Sequence, residues 1–142
     1  MKGRVVAVDV GARRVGLAIS DASRTLARPL EAIAVTSEAD AVERVARRIE
    51  QLDSEDDGVA TIVVGMPTSL DGTPTPQTAA VNAFIARLRA RISLPIDTAD
   101  ERLTSREAES RLARREKDWR KRKAQLDAAS AAVFLQDYLD RM

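Results

Sequence analysis

Apolar residues recur along this chain with two periods, and the changes between them lay out the elements. Val5, Val6, Ala7 and Val8 are an unbroken apolar run, and a second run, Val15 to Ile19, follows a short connection holding Gly11, Arg13 and Arg14. Continuous apolar runs of this length read as strands buried on both faces. Joined so tightly, the two should form a hairpin, with Gly11 giving the turn its backbone angles. Arg24 to Val35 is a third extended segment, and Pro29 within it suits an edge strand or a bulge. The period then becomes helical: Ser37 caps a helix that places Val42, Val45, Ala46 and Ile49 on one face. Asp53 to Asp57 is an acidic run that reads as a solvated loop without function.

Val59 to Gly65 is the next buried strand, and the helix before it makes a parallel crossover the expected connection. Helical spacing resumes at Pro76, with Ala80, Phe84, Ile85 and Leu88 as its buried stripe, and Leu94 to Ala99 gives a short fifth strand. Thr104-Ser-Arg-Glu107 has the form of a capping box opening a helix. A last helix begins near Leu126, with Ala128, Ala132, Leu135 and Leu139 facing the core. Right-handed crossovers place strand four beside strand one and strand five beyond it. The predicted fold is therefore α/β: a five-stranded mixed sheet of order 3-2-1-4-5, its first three strands antiparallel, with helices on both faces. This is the ribonuclease-H-like three-layer arrangement. Neither a repeat nor a boundary interrupts it, so one domain over residues 1–142 is expected.

Composition narrows the chemistry. The 142 residues contain neither cysteine nor histidine. Disulfides, thiolate sites, cysteine nucleophiles and serine–histidine triads are excluded, and acid–base or metal chemistry must run on carboxylates. No apolar run approaches the ~20 residues needed to span a bilayer, and Met1-Lys2-Gly3 runs straight into a strand, so a cytoplasmic protein with no membrane partner is expected. Net charge is only +1, but Arg111 to Lys123 holds eight basic residues against Glu116 and Asp118. A concentrated basic segment on an otherwise acidic chain points to a polyanionic partner.

Three acids stand out. Asp9 breaks the apolar pattern at the end of the first strand, where a carboxylate is costly unless paired or bound to a metal. By itself it could equally accept hydrogen bonds from the turn, hold a metal, or belong to a phosphate-cradling hairpin. Glu101, beside Asp100, follows strand five, and Asp127 lies in the first turn of the last helix, where a capping aspartate is the ordinary explanation. In the predicted topology Asp9 and Glu101 leave the same sheet edge, and the last helix can lean Asp127 over both. Three gathered carboxylates repel one another unless cations neutralise them, and hard Mg²⁺ or Mn²⁺ ions take oxygen ligands. Two such ions ~3.5–4 Å apart would activate a water and stabilise the leaving oxygen of a phosphodiester.

Val8-Asp9-Val-Gly11, Gly16-Leu-Ala-Ile-Ser-Asp21, Arg28-Pro-Leu30, Val64-Gly-Met-Pro67 with Asp71-Gly-Thr73, Asp100-Glu-Arg-Leu-Thr104 and Asp127-Ala-Ala-Ser-Ala-Ala132 follow one another in a specific order. In this set the chain resembles the YqgF/RuvX family from Arg4 to about Tyr138. The resemblance implies a small ribonuclease-H-like nuclease, related to Holliday-junction resolvases and implicated in maturing the 5′ end of pre-16S rRNA. Its acidic residues carry over to Asp9, Glu101 and Asp127 as catalytic residues and metal ligands. Asp100 should point the other way on an extended segment. Strand four ends in Gly65-Met-Pro67 without the carboxylate that the wider superfamily places there.

Arg13, Arg14, Arg102, Lys121, Arg122 and Lys123 are candidates to meet phosphates, and Gly65, Gly72, Thr68, Ser69 and Thr73 could let a backbone approach the loop from Met66 to Thr75. Aromatics make up 3% of the chain, which disfavours base stacking and favours recognition of structured RNA, or of branched DNA, by shape. The implied partners are nucleic acid and a ribosomal precursor, met by a monomer or a homodimer. A non-catalytic nucleic-acid-binding module of the same fold is a rival that retention of all three acids weighs against. A sugar-kinase- or actin-like ATPase shares the Asp-x-Gly hairpin but needs two such domains. The basic segment, predicted to be a mobile arm or a frayed helix end, should make binding salt-dependent, with a log–log slope of about −0.7 to −0.9 per neutralised phosphate. Changing Lys121, Arg122 and Lys123 together to alanine should flatten that slope, read by titrating binding against salt; an unchanged slope would place the phosphate contacts elsewhere.

Overall fold

A computed structural model describes residues 3–67, 73–100 and 119–142, with side chains from residue 128 onward in the last segment. Five strands, β1 (Arg4–Val10), β2 (Arg14–Ser20), β3 (Ala27–Ala34), β4 (Val59–Met66) and β5 (Ile96–Asp100), form one sheet of order β3-β2-β1-β4-β5. β1 pairs antiparallel with β2 and parallel with β4, and β5 is parallel to β4. This is the ribonuclease-H-like arrangement that the element order predicts. The helices among the described residues are α1 (Glu38–Asp53), α2 (Pro76–Arg91) and α3 (Trp119–Asp140).

Alternation along the strands divides the core in two. Val6 and Val8 of β1, Val15, Leu17 and Ile19 of β2, and Ile62 and Val64 of β4 pack against α1 and α2. Val5, Ala7, Ala18 and Val63 face the other way and meet Ala131, Phe134, Leu135 and Leu139 of α3. Every central strand is thus covered on both faces, which is why its sequence is a run and not an alternation. Proline's exclusion from central ladders is visible at β3, an edge strand whose register with β2 slips from Leu17↔Glu31 to Ala18↔Pro29. Ser37 caps α1, its hydroxyl accepting from the Asp40 N–H at 3.0 Å.

The helices differ from expectation in two places. The buried stripe of α2 is Val81, Phe84, Ile85 and Leu88, and Ala80 is exposed. The larger valine at the neighbouring position wins the core, because it buries more apolar area for the same backbone. α3 begins at Trp119 and not near Leu126, so residues 121–123, expected in a mobile arm or a frayed helix end, lie in its first turns. Lysine, arginine, alanine and glutamine are good helix formers, and charge alone does not stop a helix. Residues 111–118 of the basic segment, and the helix expected from Thr104, lie outside the described residues.

The acidic run after α1 also has work that its composition hides. Arg4, only 8% exposed, donates through Nε to the Gly58 carbonyl at 3.0 Å and through Nη2 to the Leu52 carbonyl at 2.9 Å and Glu55 Oε1 at 2.8 Å. Asp53 Oδ1 accepts the Val59 N–H at 3.0 Å. The guanidinium therefore ties the last turn of α1 to the start of β1, adding charge-assisted bonds to carbonyls that also accept the Glu55 and Arg4 N–H groups. Replacing Arg4 by alanine removes these charge-assisted bonds and leaves the Leu52 and Gly58 carbonyls with only their backbone donors, the N–H groups of Glu55 and residue 4, and should cost about 1–3 kcal/mol. Little of this comes from the exposed Glu55. Chemical denaturation checks it, and Arg4→Lys should recover only part, since one ammonium cannot span the three acceptors.

Candidate active site

Asp9 lies one residue from the carboxyl end of β1, half-buried, directly opposite Gly16 of β2. Since Val6 and Val8 face α1 and α2 while Val5 and Ala7 face α3, alternation puts Asp9 on the α3 side. Val8 is paired with Val64, so the position after Val64, Gly65, flanks Asp9 on β4, and Gly65 is paired in turn with Ala99 of β5. Across the sheet at this level the residues are glycine, aspartate, glycine and alanine. Asp9 thus has no large side chain beside it on either neighbouring strand, which leaves lateral room for whatever its carboxylate binds. The two glycines are a feature that sequence reading missed at Gly16; only the pairing register shows that they bracket the acid.

The hairpin beyond Asp9 closes through its own backbone, the Gly11 N–H donating to the Arg14 carbonyl at 2.9 Å. Gly11, expected to give the turn its backbone angles, has no positive φ. Its requirement is one of space: a Cβ there would lie 2.6 Å from the Arg14 carbonyl oxygen. The Arg13 carbonyl accepts the Val35 N–H at 2.9 Å, lashing the hairpin tip to the end of β3. Arg13 is exposed and Arg14 half-buried, and both stand at the pole of the sheet where Asp9 lies.

β4 and β5 end at that same pole. Thr78 Oγ1 donates to the Pro67 carbonyl at 2.6 Å and accepts the Thr75 N–H at 2.9 Å. The first turn of α2 is thereby tied to the exit of β4, and the two ends of the loop between them are held together. Asp100 pairs with Met66 and, by alternation from Ala99, falls on the face away from α3, as expected for it. Glu101 and Arg102, and Thr68, Ser69 and Gly72 of the loop, lie outside the described residues.

α3 supplies the remaining element. Its C-terminal half is anchored at two levels: Gln136 bonds to Ala27, the partner of Ser20, at the amino end of β3, and Tyr138 to Asp97 of β5, level with Val63 and Ala7 in mid-sheet. Its N-terminal half therefore runs toward the carboxyl end of β1, and the backbone of residue 127 lies on the side of the sheet that Asp9 faces. The side chains of Asp127, Lys121, Arg122 and Lys123 lie outside the described residues. Among the described residues no three carboxylates come together, Asp9 being the one expected ligand whose side chain they include. Asp21, part of the same motif series, stands at the opposite pole. It accepts from the Thr25 N–H at 2.8 Å and the Leu26 N–H at 3.2 Å, bonds that lower its pKa and mark it as a turn acid.

The close approach at Gly11 can be tested alone. Gly11→Ala must push the Arg14 carbonyl away or break the hairpin closure, and should cost on the order of 1–3 kcal/mol. A thermal melt that leaves the variant as stable as the parent would show that the turn has room to spare.

Comparison with known proteins gives a consistent set of relatives. The model of the RuvX family, described as Holliday junction resolvase, matches residues 3–141. A Roseiflexus protein named "Putative pre-16S rRNA nuclease" is 39% identical over 138 residues, spanning 97% of this chain and 94% of its own. One from Anaeromyxobacter with the same name is 40% identical over 141 residues, 97% of each chain. RuvC of T. thermophilus, solved in complex with a Holliday junction substrate, has the same fold with a TM-score of 0.54 over 99% of this chain and 96% of its own, at 14% identity.

Proposed function

This chain belongs to the RuvX family, and from that membership we propose that it is a metal-dependent nuclease processing the 5′ end of pre-16S rRNA during ribosome assembly. The observation that carries the reading is Asp9: a carboxylate at the carboxyl end of the central strand, bracketed by Gly16 and Gly65, at the pole where the β1–β2 hairpin and the β4–α2 loop converge. Relatives at 39–40% identity over nearly the whole chain, named for that substrate, support RNA. The family's description and the fold of RuvC favour a second substrate for the same chemistry, a four-way DNA junction.

The residues suit a hard divalent ion. The chain has no histidine or cysteine to attract a softer metal, and the space beside Asp9 is lined by glycine. Asp9, Glu101 and Asp127 would hold Mg²⁺ or Mn²⁺, which when bound supplies the charge that activates water and steadies the leaving oxygen. The protein's own part is placement. Asp9 is fixed by a strand that cannot shift without unpairing both neighbours. Arg13 and Arg14, on a hairpin lashed to β3, and Arg102, Lys121, Arg122 and Lys123 would hold the flanking phosphates. Uniform backbone contacts of this kind bind structured substrates by shape and leave base identity unread. The whole chain acts as one domain, in the cytoplasm, where ribosomal precursors are found; no helix among the described residues is long and apolar enough to cross a membrane.

The test is cleavage of a pre-16S rRNA 5′ end, beside a four-way DNA junction, with Mg²⁺ or Mn²⁺ and after chelation. Asp9→Asn should reduce cleavage to background while leaving the thermal midpoint unchanged or higher, because it removes one carboxylate from a mutually repelling group. Full activity in purified Asp9→Asn protein would remove the enzyme from this site.

A further inference from the structure

Asp9 is held by the sheet, but residue 127 is carried by a helix, and a helix resting on a sheet needs something to set its register. The apolar contacts of α3 through Ala131, Phe134, Leu135 and Leu139 fix its height above Val5, Ala7, Ala18 and Val63. Hydrophobic contact is non-directional, and at this seam the sheet contributes two alanines, which offer little to interlock with. Directional bonds must do the rest.

Two sets of such bonds hold the helix, one at each edge of the sheet. On the β3 side, Gln136 Oε1 accepts the Ala27 N–H at 2.9 Å, and its Nε2 donates to the Thr25 carbonyl at 2.9 Å and to Asp140 Oδ1 at 3.0 Å. One side-chain amide thus reads a backbone donor and a backbone acceptor two residues apart, which fixes it in both translation and rotation. The turn it grips is itself stiffened by Asp21, and Arg24 within that turn has φ of 58°. On the β5 side, the Tyr138 hydroxyl donates to Asp97 Oδ2 at 3.1 Å. Partial burial, and then the bond to Asp97, raise the pKa of this phenol, so it keeps the proton it donates.

We propose that Gln136 and Tyr138 are positioning residues for the catalytic centre, fixing the register of α3 on the sheet and with it the place of residue 127 relative to Asp9. The inference depends on the reading of Asp9 and Asp127 as ligands of one metal site. Its leverage is geometric. About 16 Å of helix separates residue 127 from Tyr138 at ~1.5 Å per residue. A tilt of about 4° at the anchors then moves residue 127 by about 1 Å, and a misplacement of that size can cost on the order of a hundredfold in rate. Gln136 lies at the opposite pole, at the amino end of β3, and Tyr138 reaches β5 at Asp97, level with Val63 and Ala7 and two residues before Ala99.

The experiment uses the full chain with Gln136→Met, Tyr138→Phe and the two combined, and follows Mn²⁺ binding by electron paramagnetic resonance beside kcat, KM and thermal midpoint. The double variant should bind Mn²⁺ about tenfold more weakly and lose kcat in proportion. KM for the nucleic acid should stay near the parent's. Simple loss of stability would instead lower the active fraction without moving the Mn²⁺ midpoint. Tyr138→Phe removes a single oxygen, and carries the test if the glutamine variants do not fold. A folded double variant with parental Mn²⁺ affinity and kcat overturns the proposal. Asp9→Asn in the same titration separates the two claims: it should abolish tight Mn²⁺ binding, and if it does not, the shared metal site itself is wrong.

Discussion

The desolvation of one carboxylate constrains the rest of this molecule. β1 is the central strand, its residues from Val5 to Val8 wholly buried between helices on both faces. A charge anywhere along that run would be removed from water with nothing to compensate it. At the carboxyl end burial becomes partial, and an acid placed there is still held rigidly by the strand. Asp9 occupies that position, and the glycines beside it keep the space from being filled by neighbouring side chains. The same constraint explains why the surrounding segments are so firmly tied. The hairpin is lashed to β3 through the Arg13 carbonyl, and the loop after β4 to α2 through Thr78. A site built on strand ends inherits the precision of the sheet only if the connections do not wander.

The two faces of the sheet divide the labour unequally. The α1–α2 face carries the larger core, with Leu17, Ile19, Ile49, Phe84 and Leu88 among its buried residues. It is closed at the surface by ion pairs such as Arg91 with Glu43 and Glu50, each at 3.0 Å. On the α3 face the described core is smaller, with alanines at its centre, and it is the face to which Asp9 belongs. On the chemical side the helix sits on a shallow apolar seam and takes its register from polar bonds at the sheet edges.

Much of this was legible in the residues alone. Uninterrupted apolar runs meant doubly covered strands, Pro29 meant an edge strand or a bulge, Ser37 meant a cap, and Asp9 stood out because nothing else polar interrupts the first strand. These are local signals, set by covalent geometry and by the cost of burying charge, and they hold wherever the chain goes. Tertiary structure decided what depends on register and on distant partners. Ala80 yielded to Val81, a choice between neighbouring positions made by the shape of the core. Arg4 and Glu55 lie 51 residues apart, and their composition gave no sign that they would meet. Gly11 was read correctly as necessary but for the wrong reason, since a 2.6 Å approach to a carbonyl cannot be seen before the hairpin is closed. Gln136 and Tyr138 are unremarkable on an amphipathic helix until the sheet brings Ala27, Thr25 and Asp97 beneath them. Local chemistry could therefore nominate Asp9, while the pairing of strands and the seating of α3 determined which face it shares with residue 127.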